Sequence, residues 1–489
     1  MHKTKKILII GAGMGGMAAG IYGRLHGYDT EIFEMHSLPG GQCTAYKRKG
    51  FIFDVCIHHL FGCAPGSKLY DLWSDLGVMP RKIILPEECT SVRSPDGTIF
   101  RDFYDLDKLQ NHMLDLSNED KKIIAGYIKD SKRVSKRDFT NAMIFDGIPG
   151  LFRNLGALLP LIPKFTMTLE KYGKKFRSPF LRRAFGKLVY SLSDVPLIVH
   201  LARKGKGLTG DIGWPAGGSL SFAGSMENRF RDLGGEIHYR SKVTEILIEN
   251  DRAIGVKLED GSEIRGDTII SDADGRKTIK ELLGGKYTTP EIEAWCKPPE
   301  DEFNWAVHVF LGVDRDLSNE PSAMVLLLDQ PEIIAGTEHS SVEIQMYGHD
   351  PSMAPPGKGV IKAELYSRYS YWKELSEDPD RYKQEKERIT EQILSILEPA
   401  FPGISSQVEA VDVPTPLTWE RYMGGTRGFN NMPNRKFSIL GSMTPSGMQT
   451  TLPGLKGFYF TGVWATMAGA LFINALSGKR VIEEICRSS

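Results

Sequence analysis

Three glycines, Gly11, Gly13 and Gly16, follow the apolar run Ile7-Leu8-Ile9-Ile10, and Glu34 closes a second apolar run 23 residues after the first glycine. Residues of these types at this spacing can grip a dinucleotide. The first glycine permits a tight turn, the second lets the backbone approach a pyrophosphate, and the third lets helix and strand pack closely. The free N–H groups at the helix start then face the phosphates with partial positive charge. Glu34 accepts hydrogen bonds from an adenosine ribose, and its charge would repel a 2′-phosphate, which disfavours NADP at this turn.

The elements that must position these residues are a strand, a glycine turn, a helix and a second strand. The residues beyond Glu34 separate FAD from NAD. A second glycine pair, Gly40 and Gly41, stands in the stretch Pro39-Gly40-Gly41-Gln42. FAD lies extended across its fold and uses further backbone approaches of this kind, whereas NAD has less need of them. Near the other end, a strand over 458–461 runs into a glycine turn at Gly462, and a long helix begins near Gly469. Backbone N–H groups at Gly469, Ala470 and Leu471 could then stabilise negative charge on a reduced flavin. Trp464 is an expected aromatic wall, and so is Tyr422. The two ends of the chain are therefore expected to build one FAD site.

Composition limits the alternatives. The chain has 489 residues, is 41% hydrophobic and 25% charged, and has 61 basic against 61 acidic residues. It can bury a large core, and its zero net charge gives no global pull toward nucleic acid. The apolar run before Gly11 is too short for a secretory leader, and no run reaches the roughly 18 apolar residues of a membrane span. A cytoplasmic location is expected. The six cysteines, Cys43, Cys56, Cys63, Cys89, Cys296 and Cys486, contain no CxxC pair. They read as reduced thiols, with no metal ligand set and no redox motif of the flavin disulfide reductases.

Several motifs together carry a resemblance: the glycine turn with Glu34, PGGQ at 39–42, FD and IHH within 53–59, PAGGS at 215–219, SDAD at 271–274, and Gly462 with Ser477-Gly478. In this order they resemble the FAD-dependent superfamily of phytoene desaturases, carotenoid isomerases and retinol saturases, related to amine oxidases and Rab GDP-dissociation inhibitors. The stretch FDVCIHH is similar to the FDxGIHY of retinol saturases, with Cys56 for glycine and His59 for tyrosine. At the C-terminal turn the family often has an acid after the glycine, followed by PGxGxP. Here Val463 replaces the acid and both prolines are missing. The resemblance implies backbone contact near adenine at Val243. It also implies that the strand bearing His58 passes near the flavin, so His58 is the candidate acid that supplies a proton to a substrate carbon. A regular strand would turn His59 to the opposite face. Cys56 reads as a small buried thiol or a flavin contact.

The expected fold is α/β: a Rossmann-like FAD-binding domain of the GR2 type with an inserted α+β substrate domain that contains an antiparallel sheet and a helical lid. Its segments are 1–110 (FAD-binding), 111–212 (helical lid and substrate region), 213–290 (FAD-binding), 291–430 (substrate-domain sheet and helix) and 431–489 (FAD-binding). Within 213–290, apolar spacing predicts a helix over 219–233, and Asp260-Gly261 marks a hairpin. The substrate sheet is expected from the strands in FNWAVHVFLGV, SVEIQMYGH and VIKAELYSR, with a charged helix over roughly 378–397 against it. Residues 147–210 carry a net charge of about +10 interleaved with apolar residues, a composition suited to peripheral membrane contact or to a lid with a basic outer face.

The leading function is that of an FAD-dependent oxidoreductase acting on C=C or CH–CH bonds of a hydrophobic polyene or lipid, as a saturase, desaturase or cis–trans isomerase. NAD(P)H is expected only as a transient reductant, because no second GxGxxG follows a strand. The alternatives are a flavin amine oxidase and a non-catalytic lipid carrier. No nucleic-acid partner is expected, and the oligomeric state is left open.

Overall fold

The computed structural model of the chain describes residues 4–79, 81–136, 159–189, 194–297, 304–428, 449–466 and 469–488, with positions 145 and 156. The strand Lys6–Ile10 occupies the middle of a five-stranded sheet in the order Glu236–His238, Asp29–Phe33, Lys6–Ile10, Thr268–Ser271, Phe458–Phe460. Every pairing is parallel, and the strands come from three separated stretches of chain. A parallel sheet must be covered on both faces, and the period of two along the strand divides its side chains accordingly. Ile7 and Ile9 meet the helices Met14–Leu25, Gly218–Asp232 and Leu471–Ser488 through Met17, Ala18, Phe222, Met226, Ile473 and Ile482. Leu8 and Ile10 meet a small antiparallel sheet, Val243–Glu249, Arg252–Leu258 and Glu263–Arg265, through Val243, Ile246 and Val256. The helix expected over 219–233 is displaced by one residue, and the Asp260-Gly261 turn joins the last two of these short strands.

A second sheet has seven strands in the order Val408–Asp412, Asn304–Val313, Gly359–Ser367, Thr337–Met346, Ala323–Ile334, Glu88–Arg93, Ile99–Phe103. It corrects the sequence reading in two respects. The sheet is mixed, because Ala323–Ile334 pairs parallel with Glu88–Arg93. Residues 88–103, expected within the first FAD-binding segment, hydrogen-bond into this sheet instead of the parallel one. The strand Ala323–Ile334 begins as an unbroken apolar run, which periodicity alone does not distinguish from a buried helix. The charged helix forms at Pro379–Leu397, started by Asp378, whose carboxylate accepts from the N–H groups of Asp380 and Arg381. It buries Ile389, Ile393 and Leu397 against Val309, Leu311 and Ile361 of the sheet.

Helices Leu106–Leu116, Lys121–Ser135, Leu169–Gly173, Pro179–Phe185 and Leu197–Leu208 form a separate core on the outer strands, with Phe100, Phe103, Val325 and Leu327. A fully buried network joins helix to strand there. Lys204 Nζ donates to Asp102 Oδ1 at 2.6 Å, His200 Nε2 lies 3.2 Å from Asp102 Oδ2, and the Tyr127 hydroxyl lies 2.7 Å from His200. Lys206 is likewise turned inward, onto Asp211 at 2.5 Å. The basic stretch 147–210 is thus not basic on its outer face throughout. The part of the expected lid over 137–158 lies largely outside the described residues, and none of the described helical residues between 106 and 208 lines the cavity between the two ends of the chain.

Candidate functional site

Both ends of the chain wall one cavity of about 720 Å³. Of the residues expected to hold a cofactor, Gly11, Gly13, Glu34, Gly40, Gly41, Val243, Gly462, Trp464, Gly469 and Leu471 line it. Gly16 and Ala470 lie behind the wall. Gly16 has a packing task, since a Cβ there would fall 2.1 Å from Gly11 O. The PGGQ turn docks directly on the first glycine turn: the Gly40 N–H donates to Ala12 O at 2.8 Å, and Gly13 and Gly40 form a parallel bridge. From the other end, the Gly462 N–H donates to Ser477 Oγ at 2.8 Å. At Gly478 a Cβ would sit 2.3 Å from Gly15 O, so the first and last helices cross at close approach.

Glu34 ends the strand Asp29–Phe33 and is 7% exposed. Its carboxylate accepts from Ala12 N (2.8 Å) and His36 N (2.7 Å). A carboxylate has about four acceptor positions, so it retains capacity for ribose hydroxyls. Tyr46, Trp419, Met423 and Leu471 give the cavity an apolar flank. Tyr422 is on the wall with 49% of its surface exposed, set edge-on to His36. Trp464 is 2% exposed and packs over Gly275 and the Arg276 guanidinium, so it is core and wall together.

Asp272, in the SDAD stretch, is a site residue that sequence reasoning missed. Its carboxylate occupies the junction of the two glycine turns: Cβ atoms placed on Gly13 and Gly462 would fall 2.3 and 2.1 Å from its oxygens. Burial pushes its pKa up to about 7, the Glu34 charge adds to this, and a hydrogen bond from the Gly16 N–H opposes it. A carboxyl thus stands beside Gly462 although the acid after that glycine is replaced by Val463. Asp274 fixes the same segment by accepting from Arg276 N and Thr426 N.

Two motifs with no evident link in the sequence meet at Asp54. Its buried carboxylate accepts from Ser219 N and Ser219 Oγ, both at 2.6 Å, and from Cys56 N at 3.1 Å. FD and PAGGS are therefore one joint between the strand Phe51–Asp54 and the helix Gly218–Asp232. The strand ends at Asp54, so His58 is in a bend and the alternation of strand faces does not govern His58 and His59. Cys56 lines the cavity, but His58 does not.

His58 instead faces the seven-stranded sheet. Its Nε2 lies 2.9 Å from Glu364 Oε1, which also receives Lys362 Nζ at 2.6 Å and has His308 Nε2 at 4.0 Å. Burial lowers the His58 pKa, with Glu364 opposing and Lys362 assisting, so His58 is neutral at neutral pH. Glu364 is held well below the carboxylate range, against burial, by its hydrogen bond with His58 and by Lys362. Glu343, its cross-strand neighbour, is pushed up to about 8, chiefly by burial and then by the Glu364 charge. The proton at neutral pH therefore sits on Glu343. His58, Glu343 and Glu364 bring ligand-type atoms within 4.8 Å of one another. The Lys362 ammonium already supplies the positive charge there, 3.5 Å from His58 Nε2.

The NAD(P)-binding Rossmann-like domain family matches residues 9–76. Prolycopene isomerase of Arabidopsis thaliana is 25% identical, over 93% of this chain and 78% of that protein. The lycopene-forming phytoene desaturase of Pseudescherichia vulneris is 24% identical, over 84% of this chain and 85% of that protein. Along most of its length the chain is similar to carotenoid isomerases and phytoene desaturases. This is the superfamily that the motifs resemble. In fold, it is similar to the crystal structure of an oxidoreductase from Methanosarcina mazei, with a TM-score of 0.62, 20% identity, and coverage of 98% of this chain and 100% of that one.

Proposed function

We propose that the chain is an FAD-dependent enzyme acting on carbon–carbon double bonds, or on CH–CH bonds, of a hydrophobic polyene or lipid, as a saturase, desaturase or cis–trans isomerase. The observation that carries this is the meeting of the two terminal glycine turns beside Glu34, in a cavity whose volume falls within the roughly 300–1,000 Å³ of cofactor and ligand sites. Glycine positions that a Cβ would fill suit backbone approach to a pyrophosphate, and the Glu34 carboxylate suits a ribose. The relatives named for prolycopene isomerisation and phytoene desaturation support the substrate class.

In this reading Glu34 holds the adenosine ribose, and Gly11, Gly13, Gly40 and Gly41 bound the pyrophosphate and ribityl chain. Val243 lies toward adenine, and Gly462, Trp464, Gly469 and Leu471 face the ring, with Ala470 behind them. When bound, the flavin would supply two-electron hydride exchange with a substrate carbon. The chain's own contribution is to keep the flank dry through Tyr46, Trp419 and Leu471 and to hold a proton. Glu343, whose carboxylate lies within 4.8 Å of the His58 ring nitrogen, keeps that proton at neutral pH, and His58 is the acid that delivers it. An inserted substrate domain formed by the seven-stranded sheet and its helix completes the architecture.

Peripheral membrane contact is the route by which an apolar substrate would arrive. It is supported by Leu159, Ile162, Phe165 and Val199, exposed by 40–56% among basic residues. No helix among the described residues is long and apolar enough to cross a membrane. Retention of the protein by anionic but not neutral vesicles tests this contact.

The test of function is anaerobic photoreduction of the purified protein, followed by mass spectrometry of polyenes and unsaturated lipids incubated with each flavin state, with and without NAD(P)H. A gain of two mass units selects saturation, a loss selects desaturation, and altered elution at constant mass selects isomerisation. Peroxide release with amines and unchanged polyenes would select the amine oxidase reading instead. A colourless protein would select the lipid carrier.

A further inference from the structure

Cys43 and Cys56 are 13 residues apart in the chain and meet in the fold. The hairpin of strands Ala45–Arg48 and Phe51–Asp54 pairs Ala45 with Asp54. Extending its register outward sets Thr44 opposite Val55, whose N–H donates to Thr44 O at 3.1 Å, and then Cys43 opposite Cys56. The Thr44–Val55 pair is joined by this one bond, since the Thr44 N–H donates to Gln42 O; a regular ladder continued one position further would set Cα atoms about 4.5 Å apart. A disulfide spans Cα separations of about 4.4–6.8 Å. The neighbouring Cys56 thiol, ahead of burial, holds the Cys43 thiol well above the usual range, and Cys43 Sγ donates to Ser219 O at 3.7 Å. Both residues line the cavity, Cys43 buried and Cys56 partly exposed.

We propose that Cys43 and Cys56 are a redox modification site, a dithiol that small-molecule disulfides convert to a cross-strand disulfide on the cavity wall. Cys56, the exposed partner, attacks one sulfur of the small disulfide as its thiolate and displaces a thiolate, leaving a mixed disulfide. Cys43 then loses its proton and attacks the Cys56 sulfur, displacing the second thiolate. One S–S bond forms in the protein and one breaks in the oxidant, which takes up both electrons and both protons as two thiols. Closure ties the chain leaving the Gly40-Gly41 turn to the segment leading to His58. It therefore stiffens the wall between the dinucleotide and the buried proton-holding cluster. The proposal does not depend on which dinucleotide the cavity takes.

The test uses the full chain, both as purified with its bound flavin and after the flavin is stripped. It is incubated with glutathione disulfide, denatured, alkylated and digested. Trypsin cuts at Lys47, Arg48 and Lys49, so the closed pair appears as a two-peptide species joining residues 25–47 to 50–68. Fragmentation distinguishes Cys56 from Cys63 in the second peptide. The expected result is a Cys43–Cys56 link, two fewer alkylated thiols than the six in the reduced protein, and reopening with dithiothreitol. Cys43→Ser should leave a persistent glutathione adduct on Cys56. Full alkylation of both cysteines, a stable adduct on Cys56 in the unsubstituted chain, or a link from either residue to a different cysteine would each overturn the proposal. The link is read by mass, so an inactive or flavin-free preparation still decides the question.

Discussion

Asp272→Asn tests the electrostatics at the junction of the two glycine turns. The folded-state pKa of about 7 stands about 3 units above that of an ordinary aspartate. An acid whose pKa is raised by folding binds its proton more tightly in the folded chain. Its stability contribution is therefore whole below the unfolded value near 4 and is lost as pH rises toward 7. At about 1.4 kcal/mol per unit the loss approaches about 4 kcal/mol, and access of water from the cavity reduces it to an expected 2–4. Asparagine removes the ionisation and keeps an oxygen for the Gly16 N–H. About one unit of the shift is already spent at pH 5, so denaturant unfolding of the flavin-free proteins at pH 5 and pH 8 should show the variant gaining about 1.5–2.7 kcal/mol on the parent across this interval. A pyrophosphate arriving beside the carboxyl favours its acid form. FAD affinity in the parent should therefore hold below pH 7 and fall by up to about tenfold per unit above it, while the variant stays flat. Flavin fluorescence titration reads this slope. Equal slopes in parent and variant, or a variant less stable at pH 8, would refute the reasoning.

Three further outcomes are expected. Glu34→Gln removes a charged acceptor for the ribose and should weaken FAD binding by about 1.5–3 kcal/mol, measured by calorimetry. Glu343 keeps its proton up to about pH 8, so saturation or isomerisation should slow as pH rises through that value, and a pH–rate profile of Glu343→Gln should lack this limb. Lys204→Met leaves Asp102 charged and buried, and should cost about 3–5 kcal/mol in chemical unfolding while leaving FAD affinity unchanged.

The legible parts of the fold were those governed by local chemistry. The glycine turn, Glu34, the helix over 218–232 and the capped helix at Pro379–Leu397 announce themselves through spacing and caps. So do the C-terminal strand and turn at Phe458–Gly462. What long-range pairing decides was not legible. Residues 88–103 have the alternation of any strand pair, and nothing local assigns them to one sheet or the other. The inward turn of Lys204 and Lys206 depends on Asp102 and Asp211, of which Asp102 is distant in the chain, so a count of charges over 147–210 misjudged the surface. His58 was placed on a strand that in fact ends at Asp54, because the carboxylate there is drawn into the joint with Ser219. Asp272 stood in a quoted motif but had no visible role until the two termini were brought against it. The Cys43–Cys56 pair has none of the spacings by which redox cysteines are recognised, since a hairpin, not a helical turn, brings it together.

The most direct test of the central claim is the FAD released by acid from purified Gly462→Val, compared with Gly16→Val and the parent. Gly462 has a φ of +73°, and any Cβ there would strike Asp272. If one dinucleotide is gripped by both ends of the chain, the parent releases one FAD per chain and each variant, while still folded, releases almost none. An undiminished FAD content in folded Gly462→Val would contradict the shared site, and a flavin-free parent would contradict the cofactor itself.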